Sequence, residues 1–98
     1  MDGPDEIIHQ STRLKIAATL NALHSSDSME FSKLKHILGA TDGNMATHLG
    51  ALEKAGYIAV QKDFVGKKPR TRVALTRTGR KAFEKHVQYL KDLLEGGA

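Results

Sequence analysis

The chain has 98 residues, enough for one domain, with 40% hydrophobic residues, 27% charged residues and a formal net charge of +4. It holds no cysteine, which excludes disulfides and thiolate metal sites. Its apolar runs fall far short of the roughly 18 residues needed to span a bilayer, and the acidic opening, residues 1–6, lacks the basic and apolar regions of a signal peptide, so a cytoplasmic location is expected.

Residues 1–10 read as an N-terminal arm, with Ile7 and Ile8 able to dock on the body or on a partner, and residues 11–98 as a single domain. Ser11 is placed to cap a helix over 12–24, whose apolar side is Ile16, Leu20 and Leu23 with Ala17 beside them. The polar run 25–28 is a turn, and the alternation Met29-Glu30-Phe31 predicts a short edge strand. Ser32 then caps a second helix over 33–38, with Leu34, Ile37 and Leu38 as core residues. Gly39 stops it at a position where positive φ costs little.

After a tight connection, Thr41 or Asp42 caps a third helix over 43–55. Met45, Leu49 and Leu52 recur there at intervals of four and three and share one side. Asn44, Thr47, Ala51 and Lys54 leave the other side slim and polar, suited to lying flush in a groove. Two short helices joined by a turn containing glycine form a helix-turn-helix pattern.

Residues 57–64 have the β-branched and aromatic content of a strand, with Ile58, Val60 and Phe64 alternating inward or across the ladder. Residues 65–70 form a turn with glycine, proline and three cations, and 71–75 return with Val73 and Leu75 facing the core. A helix followed by a basic hairpin is the layout of a DNA-binding wing. Charge placement agrees: residues 1–40 hold four Lys/Arg against five Asp/Glu, a net −1, whereas 41–98 hold eleven against six, a net +5. Between Lys62 and Lys81 eight cations face only Asp63, the footprint of a nucleic-acid binder.

Thr76 caps the last helix, over 77–94, which at about 1.5 Å per residue spans roughly 27 Å. Phe83, Val87, Leu90 and Leu94 fall at the spacing of a helix-packing seam, broadened by Ala82, His86, Tyr89 and Leu93. The candidate dimerisation residues are Phe83, Val87, Leu90, Leu93 and Leu94. The expected fold is mainly α with a small β-hairpin (α+β), a winged helix-turn-helix with a long C-terminal dimerisation helix.

In this order the chain resembles winged-helix transcriptional regulators of the ArsR/MarR type, in their small single-domain DNA-binding branch. The residues that carry the resemblance are Arg13-Leu14-Lys15-Ile16, Phe31-Ser32-Lys33-Leu34-Lys35 and Thr41-Asp42-Gly43-Asn44. They continue with His48-Leu49-x-x-Leu52-Glu53-x-Ala55-Gly56-Tyr57-Ile58, then Leu75-Thr76-x-x-Gly79-Arg80 after the wing. The resemblance implies a homodimer that binds a pseudo-palindromic operator, usually as a repressor. It does not carry over an effector, because the cysteines of the ArsR metal sensors are absent and the chain is short for the terminal helices that enclose a MarR ligand pocket.

The expected partner is double-stranded DNA. Gly43, Asn44, Thr47, His48 and Ala51 of the third helix are the candidate groove contacts, with Asn44 suited to a bidentate bond to adenine. Ser32, Lys33 and Lys35 are candidates for holding the second helix on phosphates. Lys67, Lys68, Arg70 and Arg72 are the candidate wing cations, the two arginines being those that could enter the minor groove. The five histidines contain no pair spaced three or four apart, so no metal site or cofactor is expected. Gly66-Lys67 is no phosphate loop, since Gln61 and Lys68 stand where glycine and Ser/Thr are required. Nothing marks a nucleophile or an acid–base pair, so no enzyme activity is expected. The alternatives are a protein-interaction module or a ligand-responsive sensor with a pocket at the dimer interface.

Overall fold

A computed structural model describes residues 3–96; Met1 and Asp2 of the arm, and Gly97 and Ala98 at the end of the domain, lie outside the described residues. The elements run α1 (Ser11–Asn21), β1 (Met29–Glu30), α2 (Phe31–Leu38), α3 (Asp42–Lys54), β2 (Ile58–Val65), β3 (Lys68–Leu75) and α4 (Arg77–Leu94). The three strands form one antiparallel sheet in the order β1-β3-β2. This is the α+β winged helix-turn-helix expected from the order of the elements.

Each helix buries one stripe on a common core. Ile16, Ala17 and Leu20 of α1, Leu34 of α2, and Met45, Leu49 and Leu52 of α3 meet Met29, Ile58, Val73 and Leu75 from the sheet. Register explains the sheet's share: Ile58 pairs with Leu75 and Val60 with Val73, so these four side chains share one face. Leu23 and Leu38 pack on the margin of the core, but Ile37 stays 50% exposed. The short helix α2 turns only one stripe inward, and Leu34 already fills it.

The helix ends follow local chemistry, with two corrections. Thr41 caps α3 by accepting from the Asn44 N–H, and Thr76 caps α4 by accepting from the Gly79 N–H at 2.9 Å. Gly39 ends α2 at φ 62°, as read from the sequence. Ser11, however, is the first residue of α1, and the Gln10 side chain accepts from the Arg13 N–H at 3.0 Å in its place. Ser32 is not a cap either. The chain turns directly from β1 into α2 at Phe31, whose ring packs on the core, so the helix starts two residues earlier than expected.

Of the two docking possibilities for the arm, the structure shows the body. Ile8 is fully buried in the core. Asp5 organises the segment: its Oδ1 accepts from the N–H groups of Ile7 and Ile8, both at 2.8 Å, and its Oδ2 accepts from the Tyr57 hydroxyl at 2.8 Å. The Asp5 N–H in turn donates to His86 Nδ1 at 3.0 Å. His86 therefore lies beneath the arm, 3% exposed, and not on an outward seam of α4.

This cluster makes stability depend on pH. Burial pushes the His86 imidazole below its ordinary value, aided by His9 and opposed by the Asp5 carboxylate. The unfolded chain then takes up the proton first, so the contribution of neutral His86 is present above about pH 6.5 and is lost as pH falls through the lower folded value. Burial raises the Asp5 carboxyl, but the N–H of Ile8, the Tyr57 hydroxyl and the N–H of Ile7 together hold it below its usual range, so its contribution is lost only in stronger acid. Burial and the bond to Asp5 push Tyr57 up to about 12, so its contribution fades only as pH rises from 10 towards 12. The urea midpoint should drop between pH 7.5 and 5.5. His86→Gln, which keeps an acceptor for the Asp5 N–H without titrating, should flatten that drop; an equal drop in the variant would remove His86 as its source.

Candidate nucleic-acid interface

The outward side of α3 is built from small residues because its inward side is fully committed. Met45, Leu49 and Leu52 are buried, and Gly43, Asn44, Ala46, Thr47 and Gly50 are exposed. Ala51 is half-buried at the edge of this surface. A Cβ added at Gly43 or Gly50 would meet nothing within 4 Å, so neither glycine is required by the packing of the free chain. An exposed glycine inside a helix costs about 1 kcal/mol relative to alanine. The helix carries that cost on the face where another molecule's surface would approach closest.

Asn44 sits in the first turn, where its backbone N–H is held by Thr41 Oγ1 at 3.2 Å. Its side chain makes no hydrogen bond among the described residues, which leaves its amide available for a bidentate contact. Thr47, also exposed, donates from its Oγ1 to the Gly43 carbonyl at 3.0 Å. His48 lies apart from this pair. It is half-buried, and its Nδ1 faces Arg13 Nε at 3.3 Å, while Arg13 Nη1 donates to the Ile7 carbonyl. His48 thus ties α3 to α1 and the arm.

The entry to α3 is fixed by Lys35, whose Nζ meets Asp42 Oδ1 at 2.7 Å across the turn between α2 and α3. That pair engages Lys35 within the chain, whereas Ser32 and Lys33 at the start of α2 are exposed.

The wing is a two-residue hairpin. Val65 pairs with Lys68 around Gly66-Lys67, with Gly66 at φ 62° and no positive φ at any described non-glycine residue. β3 therefore begins at Lys68, three residues earlier than its sequence pattern predicts. The hairpin outruns the body: Phe64 is 70% and Val65 56% exposed, so of the two places open to Phe64, inward or across the ladder, it takes the second, opposite Pro69.

Register also sorts the wing's cations. Asp63, Arg70 and Arg72 share the face away from Ile58 and Val73. Arg70 forms a two-pronged pair with Asp63 at 2.9 and 2.8 Å and lies 3.9 Å from Glu30, and Arg72 reaches the same Asp63 carboxylate at 3.3 Å. The bonds from Arg70, reinforced by Arg72, hold the Asp63 carboxyl below its usual range. These arginines are bound within the sheet. Lys62, Lys67 and Lys68 are exposed and make no ion pair among the described residues. Lys62 was legible only as part of the basic cluster; its place becomes clear from register, because it follows Ile58 and Val60 on the face turned towards α3.

α3 and the wing line one groove, with Ala46, Gly50 and Glu53 on its helix side and Val60, Lys62 and Thr71 on its sheet side. At the far end of the molecule, Phe83 packs on the core, Val87 and Leu90 are half-buried, and Leu93 and Leu94 are 50% and 87% exposed. Among the described residues no group of His, Asp and Glu is arranged to hold a metal ion, and no helix is long and apolar enough to cross a membrane.

A helix-turn-helix whose second helix offers a slim polar face beside a cationic hairpin defines a winged-helix DNA-binding protein. The family described as winged helix DNA-binding domain matches residues 12–94, and the chain belongs to it. The chain is 33% identical over 88 residues to an uncharacterized protein of Methanocaldococcus jannaschii, covering 90% of this chain and 92% of that one. It is similar in structure to a transcriptional regulator homologue from Pyrococcus horikoshii OT3, with a TM-score of 0.84 at 27% identity over 94% of this chain and 88% of the other. NadR, solved in complex with 4-hydroxyphenylacetate, shares the fold at a TM-score of 0.68 and 19% identity, over 92% of this chain and 64% of NadR. The family gives this chain a winged-helix DNA-binding domain, and the solved neighbours share its fold.

Proposed function

We propose that the protein is a homodimeric transcriptional regulator that binds a specific double-stranded operator and acts as a repressor by occupying it. α3 enters the major groove, Asn44 and Thr47 meet base edges, and Ser32 and Lys33 hold the start of α2 on phosphates. Lys67 and Lys68 neutralise the backbone beside the minor groove. The observation that supports this reading is the placement of α3 beside the sheet of the wing: Ala46 and Gly50 border one space with Lys62 and Thr71, and Asn44 and Thr47 are exposed on the same helix outside it.

The exposed end of α4 supports the dimer. Leu90, Leu93 and Leu94 extend the apolar stripe beyond what the core covers, with Val87 joining it to the body. A second copy packed there would present two α3 helices to half-sites one turn of DNA apart, about 34 Å.

Selection of bound duplexes from a random pool, followed by footprinting, tests the proposal. A pseudo-palindromic footprint is expected, and failure to retain any duplex at low salt overturns the reading. Asn44→Ala should then lose discrimination between selected and random DNA by about 1–3 kcal/mol, roughly five- to 150-fold. An equal loss on both DNAs would reassign Asn44 to the backbone.

A further inference from the structure

We propose that the wing inserts an apolar wedge: Phe64 enters the minor groove, parts a flexible base step and bends the duplex. The inference rests on the DNA-binding reading above and deepens it. Phe64 stands at the tip of the hairpin, 70% exposed, with no core to receive it. Its cross-strand partner is Pro69, one pair inward from the Val65–Lys68 pair that closes the loop. In a two-residue hairpin the closing pair exchanges hydrogen bonds and the next does not, so Phe64 and Pro69 form the close, non-bonded kind of pair. The missing N–H of Pro69 is therefore no defect there, and its rigid ring can brace the phenyl ring from the opposite strand.

The surroundings select DNA as the occupant. Lys62 lies two residues back on the same face, and Lys67 and Lys68 lie around the adjoining turn, so the aromatic tip is flanked by exposed cations that suit the phosphates on either side of a groove. Phe64 also faces the side of the sheet on which α3 lies, six residues beyond Ile58. At about 3.3 Å per residue the strand reaches roughly 20 Å outward, comparable to the half turn of about 17 Å that separates a major groove from the next minor groove. The arginines that would otherwise read a minor groove are on the opposite face, held by Asp63 and Glu30. An aromatic wedge between base steps opens pyrimidine–purine steps most readily and bends the duplex towards the major groove at that step, on the side opposite the wing.

The test uses the full chain and a duplex taken from its own selected sites, with 2-aminopurine at each pyrimidine–purine step near the wing and a dye pair on the ends. Wild type should raise 2-aminopurine fluorescence several-fold at one step and shorten the end-to-end distance. Phe64→Ala should melt like wild type, since the ring packs on no core residue, and at saturation should lose both signals; Phe64→Leu, which keeps a wedge, should retain them. A Phe64→Ala complex with wild-type fluorescence and bend overturns the wedge while leaving DNA binding intact. A change of oligomeric state in Phe64→Ala without DNA also overturns it, by assigning the ring to a protein contact. Wild-type protein that retains no duplex at low salt defeats the underlying reading, a result distinct from both.

Discussion

Replacing Gly79 by alanine should cost the fold about 3–4 kcal/mol of stability and lower Tm by roughly 15–25 °C. Gly79 lies in the first turn of α4, where that helix crosses the backbone of Tyr57. A Cβ built there would overlap the Tyr57 carbonyl oxygen and lie 2.8 and 2.9 Å from the carbonyl carbon and Cα of the same residue. These are backbone atoms, and they cannot withdraw. The Tyr57 N–H donates to the Leu52 carbonyl, its carbonyl accepts from the Thr76 N–H, and its hydroxyl is bound to Asp5. Moving α4 away instead would break the Thr76 cap, whose Oγ1 accepts from Gly79 and donates to the Gly56 carbonyl. Against a total of about 5–15 kcal/mol for a domain of this kind, that loss takes between about a fifth and four fifths of the stability. Gly50→Ala is the control: it sits in a helix interior with open space around its added methyl and should raise Tm by several degrees. Thermal melts of the two variants decide the matter, and a Gly79→Ala melt within a few degrees of wild type would show that the contact yields.

The contrast between these glycines marks what a sequence discloses. Features set by neighbours along the chain were legible: the inward stripe of Met45, Leu49 and Leu52, the cap at Thr76, the α3 cap as one of Thr41 and Asp42, the stop at Gly39, and the bounds of α4. Each depends on residues within a few positions, so the pattern contains its own cause. The motif Leu75-Thr76-x-x-Gly79 was visible too, but the reason for its glycine was not, because the atom that forbids a side chain belongs to Tyr57, 22 positions earlier. The same holds for His86, whose spacing fits an outward seam until the arm folds over it through Asp5. In the candidate interface, Asn44, Thr47, Lys67 and Lys68 stand exposed where the helical and hairpin patterns put them. The roles of Arg70 and Arg72 were hidden by register, since only strand pairing reveals that Asp63 meets them on the far face. For Phe64 the sequence left two places open, inward or across the ladder, because alternation reports the face of a strand and not whether anything covers that face.

Lys67→Ala combined with Lys68→Ala should weaken DNA binding alike on selected and random sequences, with the largest deficit at low salt. Both side chains are exposed at the wing turn and make no ion pair among the described residues, so each can replace a counterion on one phosphate. Each such contact contributes about 0.9 to the slope of log K against log salt, so removing both should flatten the slope by about two for each wing engaged. Referred to 1 M salt, where the term vanishes, two contacts amount to roughly 200-fold in affinity at 50 mM and about 30-fold at 150 mM. Arg70→Ala supplies the comparison: its guanidinium is already matched by Asp63, so its loss should loosen the hairpin and leave the slope near its wild-type value. Titrations of a labelled duplex at four salt concentrations distinguish these outcomes. An unchanged slope in the double lysine variant would take the wing off the DNA, and a slope flattened by Arg70→Ala would mean that binding pulls the arginine from Asp63 onto a phosphate.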